Sequence, residues 1–189
     1  KVIINNNIIG PIEGWNGLWI YGESDVSAEN NTIMNTGKEP VLIGEYHHKD
    51  EGWNVPGPSK ARLYFANNVV TNNTGTCNSD YMYGGDFACP AFHVYMSSAT
   101  FINNDVENNA GDGFRIKGGV VNAQGNTMDV GGFAANISLL DDNYGNKYGS
   151  IAYFSDNTYN NASQIYNVSE SRVAVQSEFM PDPGGNEMY

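Results

Sequence analysis

The chain of 189 residues carries 21 acidic against 9 basic side chains, a formal net charge of -12, and is 40% hydrophobic, with 12 Tyr, 8 Phe and 3 Trp. That apolar share fills a core and excludes wholesale disorder, while the negative surplus opposes the positive surface that a nucleic-acid partner requires. No apolar run approaches the roughly 20 residues of a membrane helix, and neither a starting Met nor a signal-peptide pattern is present. The expectation is one domain over residues 1–189, a segment of a larger protein.

The sequence holds 27 Asn and 22 Gly. Both residues accept left-handed and turn conformations cheaply, so the chain reads as many short strands. Apolar residues alternate, as at Val2/Ile4 and Phe114/Ile116, with no helical three-and-four spacing. The fold class is all-β.

Taken in chain order, the first unit is centred on Asn7, with Val2 and Ile4 before it and Ile9 two residues after. The same frame returns at Asn31 (Val26, Ala28, Ile33), Asn68 (Leu63, Phe65, Val70) and Asn104 (Ala99, Phe101, Val106). It returns again at Asn126 (Val121, Ala123, Met128) and Asn157 (Ala152, Phe154, Tyr159). A weaker seventh unit has Val173, Val175 and Met180, with Glu178 in the Asn place. Successive Asn lie 24, 37, 36, 22 and 31 residues apart, so a coil of about 22 to 24 residues is lengthened in places by inserted loops. After each Asn a second bend, often with Gly (Gly37, Gly75, Gly111, Gly132), leads to another strand. Its inward pairs are expected at Leu18/Ile20, Val41/Ile43, Phe92/Val94, Phe114/Ile116 and Ile137/Leu139.

A period near 22 residues with internal alternation suits a parallel β-helix, whose coils stack about 4.8 Å apart. Asn at one bend of every coil then forms an amide ladder, Asn7, Asn31, Asn68, Asn104, Asn126 and Asn157, a structural role in preference to a catalytic one. Segments such as AENNTIMNTG, FANNVVTNNTG and FINNDVENNAGDGFRIKGG make nearly the whole chain resemble the right-handed parallel β-helix repeat proteins, of pectate-lyase-like superfold with carbohydrate-binding and sugar-hydrolase type repeats. The resemblance implies a solenoid of about six to seven coils. It does not choose among enzymes, adhesins and spacers, because the fold hosts all of them.

Two insertions interrupt the coils, at about 45–61 and 76–90. The first contains His47, His48, Asp50, Glu51 and Trp53. The second contains Cys77, Cys89, Tyr81 and Tyr83, and its two cysteines read as a disulfide of an oxidising compartment, extracellular or at the cell surface. The two thiols read as a poor zinc set, and no metal site or cofactor is assigned. Asp141, Asp142 and Asn143 offer a calcium alternative to a plain solvated turn. Sequons at Asn30, Asn72, Asn136, Asn161 and Asn167 agree with N-glycosylation in that compartment, although chance supplies several in so Asn-rich a chain.

Alternation also predicts an outward strip of Trp19, Leu42, His93, Arg115 and Ser138, flanked by Tyr21, Gly44, Tyr95, Lys117 and Leu140. Elimination on an acidic polysaccharide needs a cation, a base and an acid, roles open to His93, Tyr95, Arg115 and Lys117. The plainer reading pairs these charges with Asp105, Glu107 or Asp112. Arg115-Ile116-Lys117 also looks like the Arg-Ile-Lys motif of polygalacturonases, but their companion acidic motifs are absent and no stacked pair of carboxylates is evident. The leading expectation is therefore a non-catalytic β-helix segment, structural, adhesive or glycan-binding, with a polysaccharide lyase as the alternative. Its partners would be a glycan, stacked on Trp53, Tyr81 and Tyr83, or neighbouring domains of the parent protein, which would also cover the open end at Lys1.

Overall fold

The computed structural model describes residues 1–44, 60–77, 87–141, 147–169 and 171–176. Three parallel sheets stack around one core, and the chain visits them in rotation. Sheet one has seven strands: Val2–Asn5, Asp25–Glu29, Arg62–Ala66, Ser98–Ile102, Val120–Gln124, Ile151–Ser155 and Arg172–Gln176. Sheet two has six: Ile8–Ile9, Thr32–Met34, Val69–Asn73, Asp105–Asn109, Thr127–Val130 and Thr158–Asn160. Sheet three has six: Leu18–Ile20, Val41–Ile43, Phe92–Tyr95, Phe114–Lys117, Phe133–Ser138 and Gln164–Val168. The fold is a parallel β-solenoid of six coils, with the strand that begins a seventh aligning Val173 with Ala152 and Val175 with Phe154. Met180 and Glu178 of the seventh unit lie outside the described residues.

Each coil turns from sheet one into sheet two through a two-residue bend. Its first residue is left-handed: Asn6 (φ 60°), Asn30 (56°), Asn67 (55°), Asn103 (51°), Asp156 (55°) and Gly125 (65°). Asn tolerates this region better than other side-chain-bearing residues, which explains the Asn-Asn doublets. Gly125 takes the same place, where a Cβ would come within 2.4 Å of Asn103 Oδ1.

The second residue of the bend is the ladder Asn. Every rung repeats one pattern: the backbone N–H and Nδ2 of one Asn donate to Oδ1 of the next. The pairs of distances are 2.9 and 3.1 Å for Asn7–Asn31, 2.8 and 2.9 Å for Asn31–Asn68, and 3.0 and 3.1 Å for Asn68–Asn104. They are 2.9 and 2.9 Å for Asn104–Asn126, and 3.0 and 2.8 Å for Asn126–Asn157. From Asn31 onward each Nδ2 also donates to a carbonyl of the preceding coil, such as Asn104 to Phe65 at 3.0 Å. The amide is thereby satisfied on both sides, which lets the five rungs after Asn7 be buried without an unpaired polar group. A second bend carries left-handed Asn35, Asn72 and Asn108. Each precedes a buried polar residue, and Thr36 Oγ1 donates to Asn73 Oδ1 at 2.8 Å.

Inside, Phe65, Phe92, Phe101, Phe114 and Phe154 are fully buried and mutually packed, with centroids 4.5 Å apart for Phe92–Phe101 and 5.3 Å for Phe101–Phe114. Ala123 registers between Phe101 and Phe154 on sheet one. Phe114, crossing from sheet three, lies edge-on to both of those rings. Small and large residues thus alternate across the layers, as dense packing requires.

The first insertion leaves between the sheet-three strand Val41–Ile43 and the sheet-one strand Arg62–Ala66, and the second between the sheet-two strand Val69–Asn73 and the sheet-three strand Phe92–Tyr95. Thr76–Cys77 pairs antiparallel with Phe87–Ala88, and Cys77 and Cys89 are joined in a disulfide. Residues 45–59 and 78–86 lie outside the described residues. A third excursion pairs Leu140–Asp141 antiparallel with Lys147–Tyr148.

Candidate functional site

Sheet three presents the strip on which chemistry was expected. His93 registers with Arg115, and Tyr95 with Lys117. The full outward row is Trp19, Leu42, His93, Arg115, Asn136 and Asn167. Two expectations are corrected. Asn136, not Ser138, follows Arg115, and Ser138 follows Lys117 in place of Leu140. The inward pair of that coil is Ala135/Ile137 rather than Ile137/Leu139. The cause is physical: Ala134 and Ala135 are small enough to be buried side by side, where Gly113 leaves room beneath the Ala134 carbonyl.

The strip is also less accessible than its outward orientation suggests. His93 is 0% exposed, with Nδ1 3.0 Å from Glu39 Oε1, and Glu39 is itself buried. The other carboxylate oxygen of Glu39 accepts from Asn16 Nδ2 at 2.8 Å. Tyr95 is buried against Met96 and Leu140 with Tyr148 beside them, so the paired Leu140–Asp141 and Lys147–Tyr148 strands cover it. Arg115 Nε and Nη2 donate to Asp112 Oδ2 at 3.1 and 2.8 Å. Asp112 also accepts from the Phe133 N–H at 2.9 Å and from Asn136 Nδ2 at 3.4 Å, which ties two successive coils together. Burial, and after it the charge of Arg115, hold the half-buried Lys117 ammonium below the usual lysine range. The four residues share one strip, but His93 and Arg115 are engaged by the carboxylates of Glu39 and Asp112, and Tyr95 is buried.

One part of the same sheet differs. At the first coil Trp19 is 47% exposed and Tyr21 50% exposed, their rings 5.3 Å apart and inclined at 46°. Trp19 Nε1 donates to the Gly44 carbonyl at 3.2 Å, which anchors the indole edge and leaves ring surface toward solvent. Trp15, on the segment leading into that strand, is 63% exposed and carries Lys38 Nζ 5.4 Å from its ring centroid. The sequence reading placed Trp19 and Tyr21 on the outward face without assigning them a role. It did not single out Glu39, whose only sequence signal is an acidic residue just before the wholly buried Val41–Ile43 strand.

Trp53, Tyr81, Tyr83, Asp142 and Asn143 lie outside the described residues, and the backbone of Asp141 registers with Lys147 in the hairpin. Of the sequon residues, Asn30, Asn72 and Asn161 are exposed with left-handed backbones, and Asn167 is exposed. Asn136 is half-buried with its amide engaged by Asp112 and Asn167. Among the described residues, no helix is long and apolar enough to cross a membrane. The chain matches no family model, no curated protein and no solved structure.

Proposed function

We propose that this chain is a non-catalytic, glycan-binding segment of a secreted or cell-surface protein, of the right-handed parallel β-helix type it resembles. The observation that carries the proposal is the Trp19/Tyr21 pair, two exposed rings, one on the Leu18–Ile20 strand and anchored by a hydrogen bond, the other one residue past the strand's end. Flat apolar faces of this kind stack on the C–H faces of sugar rings, while the ring edges hydrogen-bond. A neutral glycan fits best, because the chain is strongly acidic and Arg115 is neutralised by Asp112. The disulfide supports an oxidising, extracellular compartment. This reading adds the first coil to the stacking residues expected at Trp53, Tyr81 and Tyr83, which lie outside the described residues, and neighbouring domains of the parent protein would extend the solenoid as a stalk.

Elimination on an acidic glycan is the second reading, favoured by Lys117, since an amine whose pKa is lowered by burial is a better proton acceptor near neutral pH. Against it stands His93, fully buried on Glu39. A glycan array probed with the intact chain tests the first reading, which predicts capture by neutral oligosaccharides. Incubation with pectate, alginate and glycosaminoglycans, with and without calcium, tests the second. Rising ultraviolet absorbance from an unsaturated uronate, with no array binding, would reverse the assignment.

A further inference from the structure

The disulfide does not sit alone. A carboxylate oxygen of Glu39 and the sulfurs of Cys77 and Cys89 all lie within 4.8 Å of one another, and all three residues are buried. The Glu39 carboxylate is held from behind, Oε1 against His93 Nδ1 at 3.0 Å and Oε2 against Asn16 Nδ2 at 2.8 Å. The fold brings Glu39 to the two cysteines from the preceding coil, and His93, four residues after Cys89 in the sequence, to Glu39 from the neighbouring strand.

We infer that the reduced chain holds a divalent zinc ion between Cys77 Sγ, Cys89 Sγ and a carboxylate oxygen of Glu39. Two thiolates and one carboxylate are a zinc donor set, at metal distances of about 2.3 Å to sulfur and about 2.0 to 2.2 Å to oxygen. Tetrahedral geometry at those lengths sets the sulfurs about 3.8 Å apart, so the two sulfurs joined in the disulfide must separate on reduction, while the Glu39 carboxylate oxygen already lies within 4.8 Å of both. Side-chain rotation supplies the opening, and the Thr76–Cys77/Phe87–Ala88 ladder keeps both ends of the hairpin in place. Ligating carboxylates are generally oriented by hydrogen bonds from a surrounding shell. His93 and Asn16 perform that task for Glu39. A water completes the fourth position.

The site is closed while the disulfide is intact. A thiol reductant opens it: two reductant thiols pass two electrons into the Cys77–Cys89 bond and leave as their own disulfide, while each cysteine takes up a proton. Zinc binding then releases both protons to solvent and leaves two thiolates on the metal. The device is a redox-gated metal site: it stays closed in the oxidising compartment of the proposed function and opens only where a reductant reaches the chain, and sugar binding at Trp19 and Tyr21 does not depend on it.

Cobalt(II) titration of the metal-free chain tests it, once after phosphine reduction and once with the disulfide intact. The reduced chain should bind one equivalent with the intense visible bands of tetrahedral cobalt and a sulfur-to-cobalt charge-transfer band, both lost on adding zinc. The oxidised chain should show neither. Glu39→Gln should weaken cobalt binding by more than tenfold, while Cys77→Ser with Cys89→Ser should abolish the charge-transfer band. Should reduction alone unfold the chain, one equivalent of zinc must restore its β-sheet circular dichroism. A pale octahedral spectrum, unchanged affinity in Glu39→Gln, or a reduced chain that stays unfolded with zinc would overturn the inference.

Discussion

Replacing Asn104 by Ala removes one rung from the middle of the ladder, and the structure names what each neighbour loses. Asn68 Nδ2 keeps its bonds to the carbonyls of Ala28 and Ala66, and Asn126 Oδ1 keeps the Asn104 N–H, because the backbone remains. Those two each lose one bond to the Asn104 side chain; two further groups lose theirs as well, the Asn68 N–H, which donates to Asn104 Oδ1 at 3.0 Å, and the Phe65 carbonyl, which accepts from Asn104 Nδ2 at 3.0 Å. A buried polar group left without its partner costs about 1–3 kcal/mol, so the pair costs roughly 2–6 kcal/mol. A chain of this size loses about 2–4 °C of Tm per kcal/mol, a drop on the order of 10 °C. Asn103 is a sharper control than its exposure suggests, because its φ of 51° is left-handed. Asn103→Ala should therefore cost about 1 kcal/mol, whereas Asn103→Gly should be nearly neutral. Thermal melts followed by circular dichroism compare the three variants. An Asn104→Ala melting point at or above that of Asn103→Ala would refute the ladder as a source of stability.

Two further predictions follow from burial. The folded-state pKa of Lys117 lies below its ordinary value of 10.5, so the unfolded chain binds more protons between those two values and stability rises with pH across that window. Lys117→Met should melt higher than the wild type at neutral pH, and the gap should narrow as the pH climbs toward 10.5; a gap constant with pH would contradict the assignment. Phe114→Ala empties the space between Phe101 and Phe154 and should cost about 3–5 kcal/mol in urea unfolding, with Phe114→Leu costing less and the slope unchanged in both. Equal midpoints for wild type and Phe114→Ala would place that ring outside the core.

The fold was legible because the repeat is written in two different chemistries at once. Apolar alternation marks the inward face, and an Asn-Asn doublet marks the bend, its first member for a left-handed backbone and its second for the ladder. Legibility failed where side-chain size rather than polarity decided the register. Ala134 and Ala135 are buried but not strongly apolar, so the Ile137/Leu139 pair looked better by hydropathy than the Ala135/Ile137 pair that the coil uses. The strip itself was found, but its burial was not. Alternation says which way a side chain points from its sheet and nothing of what lies over it, as His93 under Glu39 and Tyr95 under Leu140 and Tyr148 illustrate. Glu39 was invisible for the related reason that its partners Asn16, Cys77, Cys89 and His93 come from other coils.

Isothermal titration of the intact chain with the neutral oligosaccharide selected on a glycan array tests the central claim most directly, with Trp19→Ala and Tyr64→Ala measured beside it. Tyr64 is the control: it is likewise exposed but belongs to sheet one, away from the Trp19/Tyr21 pair. The account predicts that Trp19→Ala weakens binding about tenfold or more, equivalent to about 1.4 kcal/mol, while Tyr64→Ala binds as the wild type does. Unchanged affinity in Trp19→Ala, or equal losses in both variants, would contradict it.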